Sequence, residues 1–283
     1  MAEAIVVIGA GTMGNGIAGQ AAICGYPVVL CDVDENHLAS GLSRIRQTYQ
    51  KGLSRGKLTT EEVDAAQNRL RTSCVTEEAV EAADVVIEAV HENMGLKQEL
   101  LRKCARRAPE TAILASNTSS LSITELASAI ETPERVIGMH FFNPVAVMKL
   151  VELVRGEFTS EATIAVARRL SEHLGKSCIL VNDSPGFATS RLGITLGNEA
   201  MRMFEEGVAS AEDIDKAMML GYRHPIGPLA LTDLVGLDVR LAITEHLFNE
   251  IGSDTFRPPR ILRRMVRAGK LGRKTGEGFY TYE

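Results

Sequence analysis

The stretch AIVVIGAGTMGNGIAG, residues 4–19, indicates the class of fold. An apolar run, Ala4–Ile8, is followed at once by the spacing Gly9-x-Gly11-x-x-Gly14 and then by sequence compatible with a helix. The first glycine permits a tight turn, the second lets backbone approach a ligand, and the third lets helix and strand pack closely. The N-terminus of the following helix offers unpaired N–H groups to phosphate. The stretch therefore predicts a strand–turn–helix unit that binds a dinucleotide.

An acidic residue favours NAD as that dinucleotide. Asp32 ends the second apolar run, VVLCD, where a ribose 2′-hydroxyl needs an acceptor. Its carboxylate would repel a 2′-phosphate, and the following DENH supplies no arginine to bind one. We predict NAD bound by Asp32 and the glycine loop; the alternative is a glycine turn that binds no ligand. The predicted loop contacts are Gly9, Gly11, Thr12, Met13 and Gly14.

Short apolar runs alternate with helix-patterned stretches over the first two thirds of the chain. This alternation predicts β-α-β units with a parallel sheet. The polar stretch between Asp32 and Ser73 has apolar residues at helical spacing and a second helix start at Thr59 or Thr60, so it predicts an inserted helical hairpin. The predicted strands are Ala4–Ile8, Pro27–Cys31, Ser73–Val75, Asp84–Val90, Ala112–Ser116, Arg135–Phe141, Met148–Val154 and Ser177–Val181.

The pattern changes near Asn182, where NDSPGF is typical of a turn. Beyond it every segment is helical in character, and Ser210 is placed as the N-cap of one helix. We therefore predict two domains, residues 1–182 and 183–283. The predicted helices of the second are Phe187–Glu206, Ala211–Leu220, Pro228–Ile251 and Pro259–Ala268.

Composition narrows the class of protein. The net charge of −5 gives no reason to expect nucleic acid, and no apolar run approaches the roughly 18 residues that span a bilayer. The start, MAEAIVVIG, leaves no room for a secretory leader before the first strand. The five cysteines are scattered and never form a C-x-x-C pair, so we expect free thiols and no metal site. We predict a cytoplasmic protein.

Two residues point to acid–base chemistry. His140 lies at the end of an apolar run in GMHFFNP, and Glu152 lies within the apolar run KLVELV. A carboxylate in such a run is unfavourable unless it has a partner. If the two strands are neighbours, the side chains form an imidazole–carboxylate pair that takes a proton from an alcohol during hydride transfer to nicotinamide. The alternative is a core histidine and a glutamate that faces water.

Motifs along essentially the whole chain resemble the L-3-hydroxyacyl-CoA dehydrogenase family, in its short bacterial 3-hydroxybutyryl-CoA form. The resemblance implies a Rossmann-type N-terminal domain with a helical hairpin insert, followed by an all-helical C-terminal domain that forms a homodimer. The motifs are IGAGTMGNGIA, VIEAVHENMGLKQEL, ASNTSSLSITELA, GMHFFNPVAVMKLVELV, DSPGFATSRL, EDIDKAMMLGYRHPIGPLALTDLVGLD and GRKTGEGFYTY.

The resemblance also implies roles for individual residues. The catalytic pair falls on His140 and Glu152, with Ser119 near the thioester and nicotinamide and Asn143 on the cofactor side. Ser119 lies in NTSSLSITEL, which also resembles a helix start at Ser122 and Glu125, so a capping or turn role is the alternative. Three further positions match cofactor-binding residues of the family: Glu92, Lys97 and Lys274.

Substrate contacts are expected at three places. Lys51 and Arg55 lie in the basic segment QKGLSRGK, which the family uses for CoA, although a solvated helix end is the alternative. Ser190 stands where the family commonly has a substrate-positioning asparagine, and it is otherwise a small packing residue. The basic run from Arg257 to Lys274 is interpreted as complementary to a dimer partner or to anionic ligands.

The resemblance implies a reaction class: reversible NAD-dependent oxidation of an (S)-3-hydroxyacyl-CoA to a 3-oxoacyl-CoA, in fatty acid metabolism such as β-oxidation. The expected partners are an acyl-CoA substrate and a second copy of the chain, without nucleic acid or membrane. One alternative is a dehydrogenase of a free hydroxy acid, of the L-gulonate or carnitine type, on the same fold. Another is a dinucleotide-binding regulator without catalysis.

Overall fold

The computed structural model describes residues 4–282 of the chain. They form two compact units, one ending at Ser184 and the other beginning at Pro185.

An eight-stranded sheet forms the centre of the first unit, in the order β3-β2-β1-β4-β5-β6-β7-β8. All neighbouring strands are parallel except β6 and β7, which are antiparallel. The predicted α/β class is confirmed, with this one reversal of direction. The strands are β1 Ile5–Ile8, β2 Val28–Cys31, β3 Leu70–Ser73, β4 Val85–Glu88, β5 Ile113–Ser116, β6 Val136–Phe141, β7 Leu150–Arg155 and β8 Ser177–Asn182.

The third strand is displaced from its predicted place. It was expected at Ser73–Val75 but runs from Leu70 to Ser73, because it pairs with β2 from Val28↔Leu70 onward. As the edge strand it has no fully buried residue, so its apolar signal is weak.

Helices connect the strands of the first unit and cover the sheet. The predicted helical hairpin is confirmed, and its second helix starts with a capping box in which Thr59 and Glu62 exchange hydrogen bonds. The helices are α1 Thr12–Ile23, α2 Glu35–Ser54, α3 Thr60–Arg69, α4 Thr76–Ala79, α5 Met94–Arg107, α6 Ile123–Ala127 and α7 Glu161–His173, with a 3₁₀ turn at Pro133–Arg135.

The central strands explain why the sequence reads as continuous apolar runs. Every residue of β1, β4 and β5 is buried, as expected for parallel strands with helices on both faces. Polar side chains inside this layer, such as Glu88 and Ser116, come at the carboxyl ends of strands. In open α/β sheets this is the edge at which ligands bind.

The second unit is helical, as predicted. Among residues 185–282 it has no β-strand, only isolated bridges that join Glu277 to Gly272 and to Thr281. Its helices are α8 Thr189–Glu205, α9 Ala211–Lys216, α10 Pro228–Val235, α11 Leu237–Ile251 and α12 Arg260–Arg267, with a π-helical turn at Ala217–Gly221 and 3₁₀ turns at Asp254–Phe256 and Arg273–Thr275.

Two helix predictions for this unit were wrong in detail. The helix expected over Pro228–Ile251 is two helices, because Gly236 adopts φ = +100°, which no helix residue has. The helix expected over Ala211–Leu220 ends at Lys216, where the chain widens into the π-helical turn. The N-cap at Ser210 is confirmed, since its hydroxyl accepts a hydrogen bond from Asp213 N–H at 3.1 Å.

Two buried aspartates hold the end of the chain against these helices. Asp215 accepts hydrogen bonds from Leu229 N–H at 2.8 Å and from the Tyr280 hydroxyl at 2.8 Å. Asp233 accepts from the N–H groups of Phe279 and Tyr280, both at 2.9 Å. The two carboxylates thus join α9, α10 and the C-terminal segment by buried polar contacts.

Candidate active site

The glycine loop has the geometry of a dinucleotide-binding turn. Gly9 adopts φ = +103°, and a Cβ there would lie 2.6 Å from the carbonyl oxygen of Ala89. A Cβ at Gly11 would meet nothing within 4 Å among residues 4–282, so the loop presents bare backbone to open space there. In the same range α1 begins with no side-chain cap and no acidic residue in its first turn. These features fit a pyrophosphate held by backbone N–H groups.

The end of β2 supplies the carboxylate expected beside this loop. Asp32 accepts the Ala10 N–H at 2.6 Å through one oxygen and the Val33 N–H at 2.7 Å through the other. Its side chain is 15% exposed, and each carboxylate oxygen can accept a second hydrogen bond. Asp32 is therefore held in place while it retains capacity for ribose hydroxyls. His37 Nδ1 lies 3.2 Å from Asp32, a contact that sequence reasoning missed.

His140 and Glu152 lie directly opposite each other on β6 and β7. His140 Nδ1 is 2.7 Å from Glu152 Oε2, Glu152 is fully buried, and His140 is 8% exposed. The alternative in which the glutamate faces water is therefore wrong. Beside an ionised carboxylate, which only accepts hydrogen bonds, a neutral imidazole carries its proton on the nitrogen that faces the carboxylate, here Nδ1. This arrangement assigns Nε2 as the basic nitrogen.

The loop after β5 is organised by Glu92. One carboxylate oxygen of Glu92 accepts hydrogen bonds from Thr118 Oγ1 at 2.6 Å, Ser119 N–H at 3.0 Å and Ser120 Oγ at 3.0 Å. Burial acts to raise the pKa of Glu92, but the charge of Lys97 and these hydrogen bonds together lower it. Glu92 is therefore an ionised acceptor that holds the Ser119 backbone in place.

The helix start expected in NTSSLSITEL is also present, at a different serine. Ser122 caps α6, accepting the Glu125 N–H at 3.1 Å. Ser119 lies three residues earlier and is exposed. The capping role and the proposed substrate role therefore fall on different side chains.

Asn143 lies in the connection between β6 and β7, is exposed, and precedes Pro144 through a cis peptide bond. The buried Lys176 stabilises this connection. Its ammonium donates hydrogen bonds to the carbonyl oxygens of Val145 and of Met148, the latter at 2.9 Å. Burial lowers the pKa of Lys176. Sequence reasoning missed this lysine, because nothing in the local pattern marks a partner about 30 residues away.

Two family models together cover nearly the whole chain. Residues 4–184 match the model described as "3-hydroxyacyl-CoA dehydrogenase, NAD binding domain", and residues 186–282 match that of the C-terminal domain of the same family. The chain belongs to the 3-hydroxyacyl-CoA dehydrogenase family. The family resemblance read from the motifs and the choice of NAD are confirmed, and the protein is an NAD-dependent dehydrogenase.

Individual relatives are similar over nearly their whole length. The chain is 49% identical over 279 residues to a Bacillus subtilis protein named "Probable 3-hydroxybutyryl-CoA dehydrogenase", covering 99% of this chain and 97% of that one. It is 43% identical to the 3-hydroxybutyryl-CoA dehydrogenase of Clostridioides difficile, covering 98% and 99%. The crystal structure of (S)-3-hydroxybutyryl-CoA dehydrogenase from Ralstonia eutropha is 44% identical, with a TM-score of 0.95 and full coverage of both chains.

Four further predicted site residues lie outside the strands that carry His140 and Glu152. Lys51 is in the last turn of α2, and Arg55 is the first residue after that helix. Both side chains are exposed. Ser190 is half-buried in the first turn of α8. Lys274 Nζ lies 2.6 Å from Asp238, whose pKa is lowered chiefly by this hydrogen bond.

The basic run of the second unit is partly neutralised within that unit. Arg263 pairs with Glu245, Lys270 pairs with Glu277, and Arg257 lies 2.6 Å from Asp254. These pairs reduce the net positive charge that the run alone would present.

In the described part of the chain, no helix has the length and apolar character needed to cross a membrane. Within residues 4–282, no group of three or more His, Cys, Asp or Glu side chains is arranged to hold a metal ion.

Proposed function

We propose that this protein catalyses the reversible oxidation of (S)-3-hydroxyacyl-CoA, with 3-hydroxybutyryl-CoA as its substrate, to 3-oxoacyl-CoA. The observation that carries the proposal is the buried 2.7 Å contact between His140 Nδ1 and Glu152 Oε2. An imidazole held in this way is a general base for an alcohol. The substrate named for the similar proteins is a secondary alcohol of this kind.

The proton and the hydride leave the substrate separately. NAD bound at the glycine loop supplies the hydride acceptor. His140 Nε2 takes the proton of the 3-hydroxyl group as the carbon–oxygen double bond forms. Glu152 fixes the imidazole tautomer and stabilises the imidazolium that results. In the reverse direction His140 returns the proton to the developing alkoxide.

Other side chains hold the reactants in this proposal. Ser119 donates a hydrogen bond to a substrate oxygen, as an oxyanion donor does, and Asn143 orients the nicotinamide side. Gly9, Gly11, Thr12, Met13 and Gly14 hold the pyrophosphate and Asp32 the ribose. Glu92 and Lys274 complete the cofactor side, with Lys97 buried behind Glu92. Lys51, Arg55 and Ser190 bind the CoA ester.

In this proposal each of the two predicted domains has its own role. Residues 1–182 bind NAD, and residues 183–283 contribute substrate contacts and the homodimer interface, in a cytoplasmic enzyme of fatty acid breakdown. Support for dimerisation comes from exposed apolar side chains of the second unit at Leu192, Leu220 and Tyr222. Light scattering on the purified protein tests the oligomeric state: a single-chain mass would contradict it.

The catalytic assignment is tested with purified protein, acetoacetyl-CoA and NADH, followed at 340 nm. His140→Gln is expected to lower kcat by about 10²–10⁴-fold, the usual contribution of a general acid–base. His173→Gln is the matched control, because His173 is an exposed histidine at the end of α7. Near-normal turnover by His140→Gln would overturn the assignment.

The substrate is tested separately. We expect kcat/KM to be highest with the four-carbon ester in a series of 3-oxoacyl-CoA chain lengths, and higher with NADH than with NADPH. In the oxidation direction, with NAD, the turnover of free 3-hydroxybutyrate is compared with that of 3-hydroxybutyryl-CoA. Faster turnover of the free acid than of its CoA ester would contradict the proposed substrate and leave the His140 result intact.

A further inference from the structure

A buried lysine lies next to the carboxyl end of β4. Lys97, on α5, is 1% exposed and is the largest fully buried side chain of the described residues. Its ammonium lies 2.6 Å from Glu88 Oε1, 3.3 Å from Glu92 Oε2 and 3.3 Å from the Val90 carbonyl oxygen. An ammonium has three donors, and these three acceptors match that number. Lys97 therefore presents its charge to the protein interior.

Glu88 is the inner partner of this lysine. It is the last residue of β4, is 1% exposed, and also accepts the Val90 N–H at 2.7 Å and the Ser116 hydroxyl at 2.6 Å. Such a buried ion pair adds little stability compared with apolar residues, but it restricts its members to one geometry. Glu88 thus fixes the ammonium of Lys97 relative to the ends of β4 and β5.

Glu92 is the outer partner and faces the proposed active site. Its oxygen Oε2 points to Lys97, and Oε1 accepts the Thr118 hydroxyl and the Ser119 N–H. A chain of contacts therefore runs from the buried end of β4 to the loop that carries Ser119. Lys97 also lowers the pKa of Glu92 against the opposing effect of burial, which keeps this acceptor ionised.

We propose that the Glu88–Lys97 pair is a positioning device that acts through Glu92 to hold Ser119 in its reactive place. Lys97 then serves the reaction indirectly and not through direct contact with the cofactor. This inference rests on the proposed function, because Ser119 matters only if it contacts the substrate.

The test removes both buried charges together. Glu88→Gln alone or Lys97→Met alone leaves a buried charge unpaired and risks unfolding, whereas the double variant Glu88→Gln/Lys97→Met does not. With acetoacetyl-CoA and NADH, we expect this variant to keep its thermal midpoint within a few degrees and to lose about 10-fold in kcat/KM. The matched control is Glu99→Gln/Lys103→Met, which removes an exposed pair with a 3.0 Å contact on the same helix and should leave kcat/KM unchanged.

A double-mutant cycle separates positioning from a merely structural role. If the pair acts through Glu92, the losses caused by Glu92→Gln and by the charge-free pair are not additive, and the combined triple variant is no worse than Glu92→Gln alone. Additive losses, or wild-type kcat/KM in the charge-free variant, would overturn the inference. Failure of the proposed function is distinguishable, because the wild-type protein itself would then not reduce acetoacetyl-CoA.

Discussion

Gly14 packs so closely against Gly9 that a Cβ on Gly14 would lie 1.7 Å from the Gly9 carbonyl oxygen. Both groups are backbone, so no side-chain movement relieves the overlap. The third glycine of the motif is therefore required by the fold itself. Gly11 differs, because a Cβ there would meet nothing within 4 Å in the described structure.

This difference predicts opposite phenotypes for two alanine substitutions. Gly14→Ala should lower the free energy of unfolding by about 3 kcal/mol or more, as overpacking against backbone does. Gly11→Ala should leave the unfolding free energy within about 0.5 kcal/mol of wild type and raise the Kd for NADH, because its methyl group projects where the pyrophosphate approaches. Urea unfolding and fluorescence titration with NADH measure the two effects. A stable Gly14→Ala, or normal NADH binding by Gly11→Ala, would contradict the glycine roles.

Asp32→Asn should shift cofactor preference toward NADPH. The amide keeps an acceptor for the Ala10 N–H, 2.6 Å away in the wild type, but it no longer repels a 2′-phosphate. We expect kcat/KM with NADH to fall about 10-fold, the value of one charge-assisted hydrogen bond, and the NADPH/NADH ratio to rise. Steady-state assays with both cofactors measure this. The control is Asp64→Asn, an exposed carboxylate on α3; an unchanged ratio for Asp32→Asn would count against the ribose role.

Glu152→Gln should separate catalysis from binding. Glutamine is similar in shape and still accepts the Nδ1 hydrogen of His140, but it does not stabilise the imidazolium. We expect kcat to fall by about 10²–10³-fold, with a small change in KM for acetoacetyl-CoA. Circular dichroism checks the fold, and Glu157→Gln, an exposed acid just beyond β7, is the control. A larger effect on KM than on kcat would show that Glu152 serves binding instead.

Tyr280→Phe should destabilise the second unit. The Tyr280 hydroxyl donates to Asp215 at 2.8 Å and lies 3.0 Å from the Ala211 carbonyl oxygen. Its loss leaves a buried carboxylate short of a donor, and the expected decrease in unfolding free energy is about 1–2 kcal/mol. Urea unfolding measures it, with Tyr222→Phe as the control because Tyr222 is 75% exposed. Equal stability of the two variants would contradict the role of Tyr280.

The same tyrosine predicts an alkaline loss of stability. Burial, together with the hydrogen bond to Asp215 and its negative charge, raises the pKa of Tyr280 above its ordinary value of 10.0. The folded state therefore retains a proton that the unfolded state loses above pH 10, and the contribution declines as pH rises from there. The stability difference between wild type and Tyr280→Phe should be constant below about pH 9 and shrink above pH 10. A difference that grows with pH would contradict this.

Much of the fold followed from local patterns. The runs around Ile5–Ile8 and Val85–Glu88 are buried on both faces, so their apolar character is continuous and visible in the sequence. The helix start at Thr59 or Thr60 and the N-cap at Ser210 were also predicted, because a cap depends on residues only three apart in the chain. The third strand was predicted at Ser73–Val75 instead of Leu70–Ser73, and the break at Gly236 was missed. An exposed edge strand has few apolar residues by which to recognise it. A glycine inside a helical pattern can adopt either a helical or a positive φ, and the sequence does not show which.

Some residues of the candidate site could likewise be predicted from the sequence, and others could not. The sequence predicted His140 and Glu152 as a pair only on the condition that their strands are neighbours, and the antiparallel register supplies that condition. It did not predict Glu88, Lys176 or Asp215, whose partners lie on other elements. A buried polar residue in a single sequence carries no sign of which distant group satisfies it.

Local sequence patterns were enough to predict the strand–turn–helix unit at Gly9–Gly14, the α/β class and the family to which the chain belongs. These features depend on residue types at short spacings, because residues close together in the chain determine the local backbone conformation. The tertiary structure decided that β6 and β7 are antiparallel, which places His140 Nδ1 2.7 Å from Glu152. It also decided that Lys97 faces Glu88. Strand register and helix packing set such contacts, because charges can remain buried only where the fold brings their partners together.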